Sequence, residues 1–187
     1  MLLRALVTVA FMFLLLPAPA WAQGSASLEQ LQLSRGEDGL RLAYGVKLEL
    51  PRAAEDALHK GVPLYFAAEA RVARKRWYWR DATLGRAERQ WRLSYQALTR
   101  QYRLSTGGLH QSYEGLNEAL TAVRRASAWA IELREEPDPG AAYVLSFSLR
   151  LDTRQLPAPL QIGLGAEAEW GVRSERPVHP AELGLAS

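Results

Sequence analysis

The chain has 187 residues, 48% of them hydrophobic and 23% charged, with a formal net charge of +3 at pH 7 and no cysteine. Without cysteine there are no disulfides, zinc–thiolate sites or thiol chemistry, so an apolar core alone must hold the fold. A chain of this size buries about 70% of its unfolded surface, enough for one domain without covalent staples.

The first 22 residues read as a secretory signal peptide. Arg4 supplies a single positive charge, and Ala5 to Leu16 is apolar apart from Thr8. Pro17 and Pro19 end any helix, and Ala20-Trp21-Ala22 places small residues at both positions that signal peptidase reads. At about 1.5 Å per residue the apolar run spans roughly 18 Å, short of the ~30 Å hydrocarbon core. Cleavage after Ala22 and delivery to the periplasm are therefore expected in preference to a retained anchor.

Period-two alternation dominates the chain beyond residue 22. Leu40, Leu42, Tyr44, Val46, Leu48 and Leu50 form one apolar face, and Tyr143, Leu145, Phe147, Leu149 and Leu151 form another. Trp129, Ile131 and Leu133 give a shorter example, and Leu160, Ile162 and Leu164 continue in phase to Trp170 and Val172. Such half-wet strands belong to antiparallel sheets. Two segments depart from the pattern. Pro51 to Lys60 reads as a short helix opened by Pro51 and stopped by Gly61. Leu116, Ala119, Leu120 and Val123 have helical spacing, with Ser112 available near the start. Both are too short to stand alone and must pack on a sheet.

Arg89-Gln90-Trp91-Arg92-Leu93-Ser94 is echoed eleven residues later by Arg100-Gln101-Tyr102-Arg103-Leu104-Ser105. The odd offset requires either a bulge near Ala97-Leu98 or a turn there. A similar slip between Val72 and Trp77 predicts a kink near Arg74-Lys75. The expected architecture is mainly β: an antiparallel β-sandwich of seven or eight strands with two short connecting helices, an α+β arrangement being the alternative. The signal peptide takes 1–22, a single β-rich domain 23–174, and a flexible tail 175–187, where Pro177, Pro180, Gly184 and small residues accumulate.

Charge is concentrated at the centre. Residues 71 to 103 hold ten basic groups against two acids, Asp81 and Glu88. Arg74, Lys75, Arg76, Trp77, Trp79, Arg80, Arg92, Arg100 and Arg103 are the candidate contacts for an anion or a partner. In an exported protein nucleic acid is not the expected ligand. The anions on offer are lipid head groups, lipopolysaccharide phosphates and acidic polysaccharides, which arginine grips bidentately. The competing structural reading makes the aromatic residues core and the arginines a solvated outer face.

Gly61-Val62-Pro63-Leu64, the string Arg76-Trp77-Tyr78-Trp79-Arg80-Asp81, the run Leu93 to Leu104, and Leu156-Pro157-Ala158-Pro159-Leu160 with Trp170 resemble the family known as domain of unknown function 4390. The resemblance spans most of the chain beyond residue 22. It implies an exported proteobacterial protein without assigned activity, and it points to a membrane signalling protein such as a sensor kinase as partner. It supplies no catalytic residues.

Catalytic chemistry is sparse. His59, His110 and His179 lack a second ligand at metal spacing, and there is no Gly-x-Ser-x-Gly elbow or phosphate-cradling glycine loop. His110 is the one histidine placed to serve a spatial Ser–His–Asp triad. The pairs Glu135-Glu136 and Glu167/Glu169 read as solvated charges, and no metal or other cofactor is expected. The sequence reading is thus a non-catalytic interaction module that contacts an envelope protein. A binder of anionic envelope components through residues 71–103 is the alternative, and a hydrolase ranks third.

Overall fold

The computed structural model describes residues 26–75, 82–157 and 170–185. Along them run β1 (Ala26–Gly36), β2 (Gly39–Leu48), α1 (Arg52–His59), β3 (Leu64–Arg74), β4 (Ala82–Gln96), β5 (Gln101–Thr106), β6 (Leu109–Tyr113), α2 (Leu116–Arg124), β7 (Arg125–Ile131), β8 (Tyr143–Leu151) and β9 (Gly171–Val178). Short 3-10 turns cover Thr153–Gln155 and Pro180–Leu183. The strands form two antiparallel sheets, ordered β1-β2-β7 and β6-β5-β4-β3-β8-β9. The mainly β expectation holds.

The alternation read from the sequence decides which faces meet. Leu40, Leu42, Tyr44 and Val46 turn inward from the small sheet, and Phe66, Ala68, Ala70, Leu145 and Phe147 turn inward from the large one. All belong to one buried cluster, and the Tyr44 and Phe147 rings stand 4.8 Å apart across it. Burying each such side chain stabilises the fold by about 1.5–3 kcal/mol. The two sheets are therefore packed as a sandwich rather than as separate layers.

Their widths differ, and that difference shapes the molecule. Three strands at about 4.8 Å spacing cover half the width of six. On one side β1 packs against β9. On the other, the chain leaving β7 crosses onto β4 through a Gly85–Leu133 bridge and an Arg134 N–H donated to the Leu84 carbonyl at 2.9 Å. Gly85 permits that crossing because a Cβ there would lie 2.8 Å from the Glu132 carbonyl oxygen. β5 and β6 thus project beyond the small sheet, and α2 covers part of their inner face.

Several expectations need correction or refinement. The echo in the centre is a hairpin: the chain turns over Ala97–Arg100, with Arg100 at φ 55°. Antiparallel return sets Leu93 opposite Leu104 and Tyr95 opposite Tyr102, so the two copies share an inner face despite the odd offset. β3–β4 carries a bulge at Leu84, between the pairs Val72–Gly85 and Ala73–Thr83, while the kink expected near Arg74-Lys75 depends on Trp77 and Trp79, which lie outside the described residues. The residues after Glu175 are not a loose tail as far as Leu185. Glu175 to Val178 complete β9, Leu183 is buried, and Arg176 holds Glu182 through two bonds of 2.9 and 2.7 Å. Ser112 lies in β6, and the residue capping α2 is Gly115, without a side-chain cap. The strand β1 has no counterpart in the sequence reading, while the stretch Leu160–Leu164 lies outside the described residues.

Candidate functional site

Among the described residues the basic segment does not converge. Arg74 ends β3 and forms an ion pair with Asp138, and the Lys75 N–H donates to the Ala142 carbonyl at 2.8 Å. Arg76, Trp77, Trp79 and Arg80 lie outside the described residues. Arg92 and Arg103 are diagonal neighbours on the outer face of the large sheet, opposite Ser105 and Ser94. Arg100 sits in the hairpin beyond them. Arg74 pairs with Ala82, so ten residues of extended strand, about 33 Å, separate it from Arg92. The remaining arginines are engaged elsewhere. Arg86 bridges Glu69 and Glu88, which face each other directly across β3 and β4, at 3.0 and 2.6 Å. Arg89 points inward, with its guanidinium 5.3 Å from the Trp129 ring centre and 5.9 Å from that of Trp91. Trp91 itself is core, 3% exposed. An extended strand distributes a run of arginines over two faces and its whole length, which is why clustering in sequence fails to become clustering in space.

A different constellation does converge. Tyr95, Tyr102 and Tyr113 occupy one cross-strand row on the inner face of β4, β5 and β6, all half-buried. The Tyr95 and Tyr102 rings lie 5.0 Å apart, and His59 from α1 stands edge-on to Tyr95 at 5.1 Å. His59 Nε2 is 2.7 Å from the Tyr102 hydroxyl, and the Tyr113 hydroxyl donates to Gln111 Oε1 at 2.7 Å. Burial, with Tyr95 and Glu55 adding to it, raises the Tyr102 hydroxyl above its ordinary pKa; burial and Glu118 do the same to Tyr113. Among the described residues β6 pairs with β5 alone, and no described strand covers its far edge. Leu109 beside it is 75% exposed, and Leu98 at the tip of the β4–β5 hairpin is fully exposed. The sequence signal for this flank was the echo, since pairing its copies sets Leu93 against Leu104 and brings Tyr95, the residue after the first copy, against Tyr102.

His110 lies in β6 on the outer face, with Nδ1 2.8 Å from Ser105 Oγ. No carboxylate joins that pair among the described residues. Glu136 is taken by Arg35 at 3.1 Å. Among the described residues no group of three His, Asp or Glu side chains has a metal-binding arrangement, and no helix is long and apolar enough to cross a membrane.

Residues 23–178 match the model of a family described as domain of unknown function (DUF4390). No curated protein and no solved structure matches the chain.

Proposed function

We propose that this chain, which belongs to the DUF4390 family, is an exported, non-catalytic interaction module of the cell envelope that docks a protein partner along the open flank formed by β5 and β6. One observation carries the reading: an edge of β6 that no described strand covers runs beside the half-buried tyrosine row. Edge strands are ordinarily blunted by lysine, proline or a bulge, and Leu109-His110-Gln111-Ser112-Tyr113 has none of these. An extended segment of a partner adds there as a further strand, its backbone supplying affinity and its side chains meeting Leu109 and the tyrosines. Export rests on the signal-peptide pattern of residues 1–22. A membrane signalling protein is the partner class that the family resemblance suggests.

The alternative, polyanion binding through residues 71–103, gains no support from the described residues of that segment, where Arg74 and Arg86 are ion-paired and Arg92 and Arg103 stand as a couple. Photo-crosslinkers placed at Leu109 and, as control, at Ser148 on the outer face distinguish the readings in living cells. A discrete adduct from position 109, absent from position 148 and lost in the Gln111→Pro variant, is the expected result. Equal or absent adducts at the two positions refute edge docking. Salt-sensitive binding to anionic vesicles, abolished by reversing Arg92 and Arg103 to Glu, would transfer the function to the polyanion reading. N-terminal sequencing of the periplasmic form, expected to begin at Gln23, tests export.

A further inference from the structure

A second site lies where α2 runs into β7. Arg125 is both the residue that ends the helix and the first residue of the strand, so no loop separates them. β7 begins its pairing with β2 at Gly45–Arg125, yet β2 continues to Leu48. Val46, Lys47 and Leu48 are therefore paired on the β1 side only. The last turn of α2 lies beside that uncovered stretch and leaves a cleft of about 420 Å³, within the size range of small-ligand sites.

Arg124 lines the cleft and is unmatched. Its Nε is shielded from solvent without an acceptor, and no carboxylate lies within ion-pairing distance of its guanidinium among the described residues. Burial draws the guanidinium down from its ordinary pKa, only partly offset by Glu49. A shielded donor without a partner is uncommon, because it forfeits its hydration. The other charges around the cleft are committed to exposed pairs, Lys47–Glu49 at 3.3 Å and Arg125–Glu29 at 3.9 Å. Pairs of that kind are worth about 1 kcal/mol or less and open readily.

We infer that this cleft binds a free carboxylate, which Arg124 grips through two parallel N–H···O bonds against the β2 edge. A carboxylate is favoured over phosphate because Glu29, Glu49 and the negative end of α2 all oppose a second negative charge. Two sources carry such a group, an amino-acid derivative or the C-terminus of a peptide, and the uncovered β2 edge suits either.

Titration of residues 23–187 with N-acetylalanine, acetyl-trialanine acid, acetyl-trialanine amide and inorganic phosphate, followed by NMR at the Arg124 Nε–H and the Lys47 and Glu49 amides, tests this. Both acids are expected to shift these signals, with the amide at least tenfold weaker. Peptide acid binding tenfold tighter than N-acetylalanine identifies a peptide C-terminus; equal binding identifies a small carboxylate. Arg124→Gln is expected to cost at least tenfold and Arg124→Lys, which keeps the charge without the fork, several-fold. If neither acid moves the Arg124 signal, or if the amide or phosphate binds as well as the acids, the inference is wrong. The acid–amide comparison uses the unaltered protein, so it stands even if a variant fails to fold.

Discussion

Tyr44 offers a prediction whose sign reverses with pH. Its ring is buried in the core, 3% exposed, and its hydroxyl donates to the Val123 carbonyl at 3.1 Å, satisfying one of the last carbonyls of α2. Burial, slightly offset by Arg89, pushes its pKa up to about 12 from 10.0. Tyr44→Phe removes the hydroxyl and leaves that carbonyl without its donor, which at pH 8 costs about 1 kcal/mol. The unfolded tyrosine ionises near pH 10, whereas the folded one keeps its proton for about two further units. The wild type's stability is therefore fully present below pH 10 and is lost as pH rises through 12. At pH 11 that loss amounts to about 1.4 kcal/mol, a loss the Phe variant does not share. Urea unfolding at 25 °C, followed by tryptophan fluorescence, is expected to find Tyr44→Phe less stable at pH 8 and equal or slightly more stable at pH 11. Other titrating groups contribute equally to both proteins and cancel in the difference. A gap between the two proteins that stays constant from pH 8 to pH 11 refutes the account of a buried, proton-retaining hydroxyl.

The C-terminal anchor makes a prediction in acid. Burial alone would raise the Glu182 carboxyl, but bonds from Arg176 and the His179 N–H outweigh it and hold the group below its usual range. Glu182→Gln is therefore expected to lose about 1–3 kcal/mol near neutrality, an effect present above the ordinary carboxyl range and shrinking as pH falls below about 4 in acid unfolding curves. Gly85→Ala would force a Cβ to within 2.8 Å of the Glu132 oxygen and 3.0 Å of Ile131 Cγ2. A loss of about 1–3 kcal/mol is expected, with faster amide exchange at Arg134, whose N–H makes the crossing bond. Arg100→Gly relieves a left-handed conformation at φ 55° and is expected to raise Tm by about 2–4 °C; an unchanged or lower Tm would show that the turn bears no strain.

The strands that carry one apolar face were legible because burial on a single face enforces period two. β2 and β8 fall where Leu40–Leu50 and Tyr143–Leu151 alternate, and both short helices fall where Pro51, Gly61 and the Leu116–Val123 spacing place them. β1 left no such trace because its inner face is only partly buried: Leu28 and Leu31 are half-exposed and Leu33 alone is core. The flank site was half visible, in that the echo contains Tyr102 and its first copy ends beside Tyr95, but the partners Tyr113 and His59 come from elements whose neighbours no local pattern reveals.

The sequence by itself thus determined the absence of thiol chemistry, the β-rich class and which side chains face inward, because these depend on composition and on periodicities of a few residues. Tertiary structure alone decided that the small sheet spans half of the large one. That mismatch produces the projecting β5–β6 flank, the passage of α2 straight into β7 leaves the end of β2 uncovered beside Arg124, and the length of β4 scatters the described arginines that looked like a site in one dimension. Such features depend on pairings between residues far apart in the chain, which backbone hydrogen bonding and core packing select together.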